Sequence, residues 1–531
     1  MTQSKPPEPW MQDSLREGYA ALARGDFHGA IDRARRVLTA KPDLPEGHFL
    51  VGLVAQARED IGTAVQAFGS VTKLAPQHGA AWAQLARLFM RMGHVNRADE
   101  ALAQAVAHQD GNPMVEDAIA TVFSLLGDQQ EASHWLQKAL AQQPRHLPFL
   151  INRANNQMFL GDFDGAEQTL RSALQVDPGN ANAHWLLSGL RKATGREHVD
   201  QLNGMIANSR NPKDLAYLQY ALGKELEDLG DWSAAFTAYA AGAAARRSTL
   251  HYDEAAEAAM FDALQNSLTR EWLDSRSEGC PDASPIFIVG QPRTGTTLVE
   301  RIVTSHSMVH SAGELRQFDS AVRRLVNYRG RARYSAELVQ AAAGIDVARL
   351  GEAYLSTTRA LRGELPRFVD KLPANYRFLP LILAALPNAK IVHLQRDPMD
   401  ACFSSFKQLF ADAYPHSYEQ REMGRHHARY FRLMQCWRER FGERFIDLSY
   451  ETVAADPEPS TRRLIEFLGL PWEDACLDFH RQDGAVTTAS VVQVREAAHT
   501  RSVGRWQRYG EALAPLRETL ESEGIPLQLP R

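Results

Sequence analysis

The chain has 531 residues, which is too long for a single hydrophobic core, since domains usually contain about 100–200 residues. Hydrophobic residues make up 44% and charged residues 23%, a balance typical of globular proteins and not of disordered chains. The 59 Lys and Arg against 64 Asp and Glu give a net charge of −5, which argues against general binding to nucleic acid or to anionic membranes. A local basic pocket remains compatible with that charge.

The cysteines and the N-terminal residues indicate the cellular compartment in which the protein is expected. The chain has four cysteines without CxxC or zinc-like spacing, Cys280, Cys402, Cys436 and Cys476. So few cysteines in so long a chain indicate reduced thiols and no disulfide scaffold. Residues 1–12 read as a flexible tail without the apolar segment of a signal peptide, and no apolar run approaches the roughly 18–20 residues of a membrane helix. We therefore expect a cytoplasmic protein that does not span a membrane and needs no metal.

A 34-residue period runs through the first half of the chain. It is carried by three residue types: Ala30, Ala64, Ala98, Ala132 and Ala166; Gly25, Gly93, Gly127 and Gly161, with Glu59 as the exception; and Pro42, Pro76, Pro144 and Pro178, with Asp110 as the exception. Glycine suits the turn between two helices, alanine suits a close approach of two helix backbones, and proline ends the second helix. The period predicts repeated pairs of antiparallel helices.

This pattern resembles the tetratricopeptide repeat, a 34-residue helix–turn–helix unit. Gly230-Asp231-Trp232 with Ala235 restores the pattern after a degenerate stretch near Gly195. We predict an α-solenoid of six or seven repeats over residues 13–247, followed by a helical linker over residues 248–283. Such arrays present a concave face that binds extended peptides or protein partners, although an array that only braces or dimerises the chain is the alternative.

The second half opens with a phosphate-binding signature. A β-branched run at Pro285–Val289 leads into Gly290-Gln291-Pro292-Arg293-Thr294-Gly295-Thr296-Thr297, and an amphipathic helix follows. Strand, glycine-rich loop and helix form the setting in which backbone N–H groups bind phosphate. The loop nearly matches the Walker A pattern, but Thr296 replaces its lysine, which argues against an ATPase or GTPase. Arg293 supplies a cation inside the loop instead.

A second anion site is predicted about a hundred residues later. Ala389–Leu394 reads as another parallel strand, and it leads to Arg396 and to a helix that carries Ser404 and Ser405. The carboxyl edge of a parallel sheet is where open α/β domains bind ligands. Arg396 and Ser404 are suited to a second phosphate, because arginine stays charged and binds phosphate with two N–H groups.

The segments FIVGQPRTGTTL and IVHLQRDPMDACFSSF together resemble the two nucleotide-binding motifs of sulfotransferases that use 3′-phosphoadenosine 5′-phosphosulfate (PAPS). The resemblance covers roughly residues 284–510, and the catalytic half is similar to the protein-tyrosine sulfotransferases, within bacterial proteins that join tetratricopeptide repeats to this domain. It implies an α/β domain with a parallel sheet over residues 284–531. It also implies that Arg293, Thr294, Gly295, Thr296 and Thr297 contact the 5′-phosphosulfate, and that Arg396 and Ser404 hold the 3′-phosphate.

The same resemblance suggests the catalytic groups. A glutamate in a matching Gly-Glu segment acts as general base in the family, which points to Glu314, and a lysine after a matching strand contacts the transferred sulfate, which points to Lys371. His306 and His310 are rival bases, because other sulfotransferase branches use histidine. A carboxylate beside bound nucleotide is suited to take the proton of an acceptor hydroxyl.

Further contacts follow from the resemblance. Tyr450 matches a tyrosine near the adenosine, although an ordinary half-buried strand aromatic is equally compatible. The segment that closes over PAPS corresponds to residues 489–506, but it lacks the R-K-G motif of cytosolic small-molecule sulfotransferases. Ser490 is a candidate for sulfate contact, and Arg501 or Arg505 for phosphate.

The expected reaction is transfer of a sulfuryl group from PAPS to a hydroxyl, with a protein or peptide tyrosine as one acceptor. Three alternatives stay open: a P-loop kinase or nucleotidase, a catalytically inactive nucleotide-binding module on a repeat scaffold, and a sulfotransferase for a small molecule, lipid or glycan. The missing Walker lysine weighs against the first. The sequence does not name the acceptor.

Overall fold

The computed structural model describes residues 8–410, 412–482, 484–488 and 492–527. Ser490 lies outside these ranges. The helices of the first half are α1 (Pro9–Ala23), α2 (Phe27–Ala40), α3 (Pro45–Ala57), α4 (Ile61–Leu74), α5 (Gly79–Arg91), α6 (Val95–Ala107), α7 (Pro113–Leu126), α8 (Gln129–Gln142), α9 (Leu147–Leu160), α10 (Phe163–Val176), α11 (Ala181–Leu190), α12 (Glu197–Asn208), α13 (Pro212–Asp228) and α14 (Trp232–Arg247). The predicted helical repeats are confirmed.

The residues of the 34-residue period occupy the positions that their chemistry predicts. All five alanines are completely buried. Every glycine of the series has a positive φ, between 73° and 93°, and Glu59, which replaces glycine once, has a φ of 60°. The four prolines lie two residues beyond the ends of α2, α4, α8 and α10. In five of the turns, an aspartate accepts a hydrogen bond from the first turn of the following helix: Asp26, Asp60, Asp128, Asp162 and Asp231.

The chain divides into two compact units, residues 1–156 and residues 157–531, and the boundary lies inside α9. In the first unit, α1 with α2, α3 with α4, α5 with α6 and α7 with α8 pack as antiparallel hairpins around buried alanine, leucine and valine. The second unit contains the later repeat helices together with the whole α/β domain. Helices α15 (Glu254–Ser267) and α16 (Arg270–Asp274) connect these two parts of the second unit.

The α/β domain follows the repeats. Its elements are β1 (Pro285–Gly290), α17 (Thr296–Thr304), β2 (Val309–Ser311), α18 (Gln317–Leu325), α19 (Ala336–Ala342), α20 (Val347–Thr357), β3 (Arg367–Asp370), α21 (Leu379–Ala385), β4 (Lys390–Gln395), α22 (Pro398–Phe406), α23 (Gln420–Phe441), β5 (Ile446–Ser449), α24 (Tyr450–Ala455), α25 (Pro457–Leu468) and α26 (Ala514–Ser522). The strands form a parallel sheet in the order β2-β3-β1-β4-β5. The predicted parallel sheet is confirmed.

The sheet is covered on both faces, as all-parallel sheets usually are. Successive residues of β1 enter different cores: Phe287 and Val289 pack with α18–α21 and α23, whereas Ile286 and Ile288 pack with α17 and α25. The central position of β1, between β3 and β4, brings the ends of these three strands to one edge of the sheet.

The later repeat helices share a core with the α/β domain. Residues of α11–α14 pack in one buried apolar cluster with residues of α22, α23 and α26. The hydroxyl of Tyr220, on α13, also donates a 2.8 Å hydrogen bond to the carbonyl oxygen of Phe406 at the end of α22. The second unit is therefore built from both the repeat and the sheet part of the sequence. Among the described helices, none has the length and apolar character needed to cross a membrane.

Candidate functional site

The glycine-rich loop between β1 and α17 has the geometry of an anion cradle. Gly290 has φ +151° and Gly295 has φ +95°, conformations that L-residues rarely adopt. A Cβ on Gly290 would lie 2.7 Å from the carbonyl oxygen of Leu394, and one on Gly295 would lie 2.5 Å from Cδ2 of Tyr450. Both positions therefore require glycine, and the loop ends at the N-terminus of α17, where backbone N–H groups favour an anion.

Arg396 connects this loop to a distant part of the chain. Its Nη1 donates to the carbonyl oxygen of Arg293 at 2.8 Å, and its Nη2 donates to the carbonyl oxygen of Ser502 at 2.7 Å. Its buried Nε has no hydrogen-bond partner among the described residues, and its guanidinium lies 4.5 Å from the ring centre of Tyr450. Burial and the neighbouring charge of Arg396 lower the pKa of Arg293 to about 10. Two adjacent guanidinium groups at a helix N-terminus favour an anionic ligand.

Helix α22 supports the same site. The Asp397 side chain caps it by accepting from the N–H of Asp400 at 2.9 Å, and Pro398 occupies its first position. The Asp400 carboxylate accepts from the N–H groups of Gly504 and Trp506 at 2.5 and 3.2 Å, which fastens the segment near residue 504 to α22. Ser404 lies half-buried in the last turns of this helix.

The candidate catalytic pair lies where β3 ends. Lys371 directly follows β3, and its N–H donates to the carbonyl oxygen of Gly313 at 2.8 Å. Its Nζ lies 2.6 Å from Oε1 of Glu314 and 3.8 Å from Oε2 of Glu300, which belongs to α17 behind the glycine-rich loop. The lysine is 1% exposed, whereas the Glu314 side chain is 47% exposed. The structure thus brings both predicted catalytic residues into one ion pair, with only the carboxylate open to solvent.

The charges around Lys371 keep it protonated. Burial alone would lower the pKa of Lys371, but the carboxylates of Glu314 and Glu300 raise it above its ordinary value. Burial raises the pKa of Glu300, whose Oε1 accepts a 2.7 Å hydrogen bond from the hydroxyl of Ser311. The site therefore holds a buried cation beside an accessible carboxylate.

Asp370 is a residue that the sequence analysis did not assign to the site. Its buried carboxylate accepts from the N–H groups of Leu372 at 3.2 Å and Leu315 at 3.4 Å, and from the hydroxyl of Tyr354 at 3.0 Å. These bonds join the backbone next to Lys371 to the backbone next to Glu314, so Asp370 positions the pair. Burial raises the pKa of Asp370 to about 7. The only sequence signal is an aspartate at the end of a predicted strand.

The other predicted residues of the loop are held in different ways. The Thr294 hydroxyl donates to the carbonyl oxygen of Gln291 at 2.8 Å, Thr296 is buried at the start of α17, and the Thr297 hydroxyl lies 3.3 Å from that of Thr488. Tyr450 begins α24 and does not lie in a strand, and its ring packs on Gly295. These residues therefore surround the cradle.

Arg501 and Arg505 pair with carboxylates. Arg501 is exposed and forms an ion pair with Glu496. Nη2 of Arg505 lies 2.8 Å from Oε1 of Glu227 on α13, an oxygen that Nζ of Lys407 also approaches at 2.7 Å. Although burial alone would raise the pKa of Glu227, these cations lower it to about 2. The contacts of both arginines are thus intramolecular ion pairs.

His306 and His310, the alternative candidates for the general base, make contacts different from those of Glu314. His306 is buried, with Nε2 at 2.8 Å from the carbonyl oxygen of Pro471 and Nδ1 accepting from the N–H of Met308 at 3.1 Å. Burial lowers the pKa of His310, which lies against Gly363. Both ring nitrogens of His306 are therefore engaged, and Glu314 is the group paired with Lys371.

Comparisons with known proteins agree with this architecture. Residues 285–474 match the sulfotransferase family model, and residues 55–122 and 125–190 match a tetratricopeptide repeat model. An uncharacterized protein of Aquifex aeolicus (strain VF5) is 31% identical over 402 residues, which cover 74% of this chain and 52% of that protein. A protein-tyrosine sulfotransferase of Drosophila melanogaster is 27% identical over 42% of this chain and 46% of the fly protein.

The aligned parts thus span about half the length of these two relatives. Among solved structures, that of the APC/C hetero-tetramer Cut9–Hcn1 is 18% identical, covers 40% of this chain and 43% of that one, and has a TM-score of 0.36. On the family matches, the chain contains a tetratricopeptide-repeat region followed by a sulfotransferase domain, and its relatives include protein-tyrosine sulfotransferases.

Proposed function

We propose that the chain transfers a sulfuryl group from PAPS to a hydroxyl group of a protein or peptide, with tyrosine as the acceptor. The observation that carries this proposal is the 2.6 Å pair of Glu314 and Lys371 at the sheet edge beside the glycine-rich loop. The sulfotransferase family match and the protein-tyrosine sulfotransferases among the relatives support the reaction and the acceptor class.

The residues around the loop fit the donor. A sulfated nucleotide with a 3′-phosphate carries two separate anionic groups. The loop amides, Arg293 and Thr294–Thr297 would hold the 5′-phosphosulfate, and Arg396 with Ser404 would hold the 3′-phosphate. The unpartnered Nε of Arg396 and the ring of Tyr450 over the loop agree with a phosphate and an adenine nearby. Ser490, Arg501 and Arg505 remain candidates for further contacts, the arginines only after leaving Glu496 and Glu227.

The pair suits sulfuryl transfer in its charges and its exposure. Glu314 is open to solvent, so an acceptor hydroxyl can reach it and give up its proton. The acceptor oxygen then forms a bond to sulfur while the bond from sulfur to the 5′-phosphate oxygen breaks, which releases adenosine 3′,5′-bisphosphate. Lys371 is buried and protonated, so it stabilises the negative charge that develops on the transferred group and the leaving oxygen.

The repeat region would present the acceptor or a protein partner. Tetratricopeptide arrays bind extended peptides along a concave face, and this chain carries such repeats in both compact units. A protein acceptor is the substrate that such a surface favours.

Label transfer from [35S]PAPS tests the proposed function. The purified full chain is incubated with labelled donor and cell extract, and the labelled species are separated and hydrolysed to identify the modified residue. We expect label in polypeptide tyrosine, and its loss with the E314Q variant. The E466Q variant, which changes an exposed glutamate of α25, is the matched control.

Two results would contradict the proposal. Label found only in small molecules would overturn the protein acceptor while keeping the sulfuryl transfer. No transfer to any species, together with no binding of adenosine 3′,5′-bisphosphate by calorimetry, would overturn the reaction itself.

A further inference from the structure

Glu300 is a buried carboxylate that the sulfuryl transfer proposed above does not use. It lies on α17, whose residues Val299, Ile302 and Val303 pack in one apolar core, and it is 7% exposed. Burying a carboxylate costs free energy unless it is paired and hydrogen-bonded, and apolar residues of similar volume are often at least as stable in its place. A charge at this position therefore calls for an explanation beyond packing.

The two oxygens of Glu300 have different partners. Oε1 accepts a 2.7 Å hydrogen bond from the hydroxyl of Ser311, at the end of β2. Oε2 lies 3.8 Å from Nζ of Lys371, a distance that suits an ion pair but is too long for a hydrogen bond. Ser311 thus fixes one oxygen, and the other lies toward the lysine.

Lys371 is shared unequally between two carboxylates. Its Nζ lies 2.6 Å from Oε1 of Glu314, and among the described residues Glu300 is the other carboxylate within 4.0 Å. The charge of Asp370 acts on the lysine more weakly. Glu314 is open to solvent, whereas Glu300 is enclosed by protein. The lysine therefore has an outer partner that a substrate can reach and an inner partner that stays in place.

The groups around Glu300 act on its charge in opposite directions. Burial is the strongest effect and, together with the charge of Glu314, raises its pKa. The charges of Lys371 and Arg301 and the hydrogen bond from Ser311 lower the pKa, but it stays above its ordinary value. Glu300 is therefore ionised on the alkaline side, which is the range in which a lysine is prone to lose its proton.

The proposed reaction removes one of the two negative charges next to Lys371. The acceptor O–H bond breaks and its proton passes to Glu314, while the acceptor oxygen bonds to sulfur and the bond from sulfur to the 5′-phosphate oxygen breaks. Glu314 is then neutral and no longer attracts the lysine, which is 1% exposed. A buried ammonium group without a counterion is strongly disfavoured. Glu300 supplies the charge that remains, and a shift of Nζ by about 1 Å would bring it within hydrogen-bond distance of Oε2.

We propose that Glu300 is a positioning residue that keeps Lys371 charged and in place while Glu314 gains and loses the acceptor proton. The three N–H bonds of the ammonium group allow it to donate to Glu300 and to the leaving oxygen together. This role rests on the proposed sulfuryl transfer, and it adds a side chain that acts on the reacting atoms through Lys371.

Steady-state label transfer by the E300Q variant tests this role. The full chain transfers label from [35S]PAPS into polypeptides of cell extract, and initial rates are recorded against PAPS concentration from about pH 7 to about pH 9.5. E300Q keeps the shape of the side chain without its charge. We expect the apparent kcat to fall about 10–100-fold with KM for PAPS unchanged, because the donor contacts stay intact and only the placement of Lys371 is lost.

The pH profile separates positioning from a merely structural role. Removing a neighbouring carboxylate lowers the pKa of a lysine, so Lys371 should lose its proton at a lower pH in E300Q than in the wild type. The rate of E300Q relative to the wild type should therefore fall by about a further 10-fold as the pH rises through this range, which corresponds to a shift of about one pH unit.

Three further variants serve as comparisons. E300D keeps the charge on a shorter side chain and should recover part of the rate, whereas S311A removes the hydrogen bond to Oε1 and should lose a smaller part. E225Q changes an equally buried glutamate of α13, at 6% exposure, and should keep the wild-type kcat and pH profile. If E300Q does not fold, E300D and S311A decide, because both should show the alkaline loss to a smaller degree.

Two sets of results separate this role from the reaction itself. A wild-type kcat and pH profile in E300Q, or an equal loss of kcat in E300Q and E225Q, would overturn the role of Glu300 and leave the sulfuryl transfer intact. Absence of transfer by the wild type would overturn the reaction and, with it, this role.

Discussion

Asp370 shows how one buried carboxyl group can position two candidate catalytic side chains, Glu314 and Lys371. Its oxygens accept three hydrogen bonds. Two come from the backbone N–H groups of Leu315 and Leu372, which directly follow Glu314 and Lys371, and the third comes from the hydroxyl of Tyr354. Burial favours its neutral form, whereas the hydrogen bonds favour its charged form, and burial prevails, so the pKa rises to about 7. The geometry of the pair therefore depends on a group that resists ionisation.

The raised pKa of Asp370 predicts a pH-dependent stability. The folded state binds its proton up to about pH 7, and the unfolded state only up to its ordinary pKa of 3.8, so the free energy of unfolding falls as the pH rises through this window. The D370N variant lacks this proton. Relative to the wild type, its stability should rise by about 2–3 kcal/mol between pH 5 and pH 8.

Urea unfolding followed by tryptophan fluorescence at both pH values measures this difference. The D274N variant, at an exposed position on α16, serves as the control and should show no such trend. A constant difference between D370N and the wild type across the pH range would contradict the prediction.

The contacts of Arg396 lead to a second prediction for a single residue, which concerns nucleotide affinity. Its guanidinium donates to two backbone carbonyl oxygens and leaves Nε available for a ligand. The R396A variant should therefore bind adenosine 3′,5′-bisphosphate about 10–100-fold more weakly, because losing a hydrogen bond to a charged group usually has an effect of this size. R396K should recover only part of this loss, because an ammonium group cannot replace the fork of N–H donors. Calorimetry decides, with R481A, at an exposed arginine, as the control; unchanged affinity in R396A would refute the assignment.

At the scale of elements, the repeat helices are largely readable from local sequence. Alanine, glycine and proline each act through their own backbone or size, so their spacing alone predicts the helix pairs and turns. The glycine-rich loop is also recognisable from local sequence, because Gly290 and Gly295 have positive φ values within one short segment. The close approach of Leu394 and Tyr450 to these two glycines is a tertiary contact that the sequence did not show.

The exception at Glu59 predicts a stabilising substitution. Glu59 is exposed and has a φ of 60° at a turn where the other repeats carry glycine. A left-handed conformation destabilises the folded state by about 1–2 kcal/mol when the residue has a side chain. Glycine avoids this penalty, but its greater freedom in the unfolded chain cancels part of the gain in stability. The E59G variant should therefore strengthen the α3–α4 hairpin by about 0.5–1 kcal/mol.

Hydrogen exchange of the α3 and α4 amides measures this local stability. Exchange should slow in E59G and not in E59A, since alanine retains the penalty of a positive φ. Equal exchange in E59G and the wild type would show that the turn is not strained.

The remaining parts of the site could not be predicted because they depend on tertiary contacts. The resemblance to sulfotransferases pointed to Glu314 and Lys371, which the structure pairs, but nothing in the sequence marks Asp370 as the residue that joins them. The pairing of Arg505 with Glu227 spans 278 positions of sequence, from 227 to 505.

At the scale of the whole molecule, compact units and sequence regions do not coincide. The repeat pattern ends near residue 250, yet the compact units divide at 156/157. The reason is the apolar cluster in which helices α11–α14 pack with α22, α23 and α26. The sequence period predicts which helices are alike, but it does not predict which hydrophobic core each helix packs into.

This shared core predicts how the chain tolerates truncation. A fragment of residues 147–531 keeps α9 whole and retains the cluster, so it should fold and bind adenosine 3′,5′-bisphosphate. A fragment of residues 248–531 would expose the apolar side chains of α22, α23 and α26, and it should aggregate. Expression, thermal melting and nucleotide calorimetry compare the two, and a stable, nucleotide-binding fragment 248–531 would contradict the shared core.

The ion pairs of Glu227 also bear on how the repeats and the sulfotransferase domain are inherited. The Glu227 carboxylate, on a repeat helix, forms ion pairs with both Lys407 and Arg505, which belong to the sulfotransferase part of the chain. Recombination that exchanged the last repeats for those of another protein would leave two cations without their counterion and a core without half its side chains. The earlier repeats belong to a separate compact unit that ends at residue 156. Lineages of this protein should therefore gain and lose repeats at the N-terminal end, and inherit the last repeats together with the sulfotransferase domain.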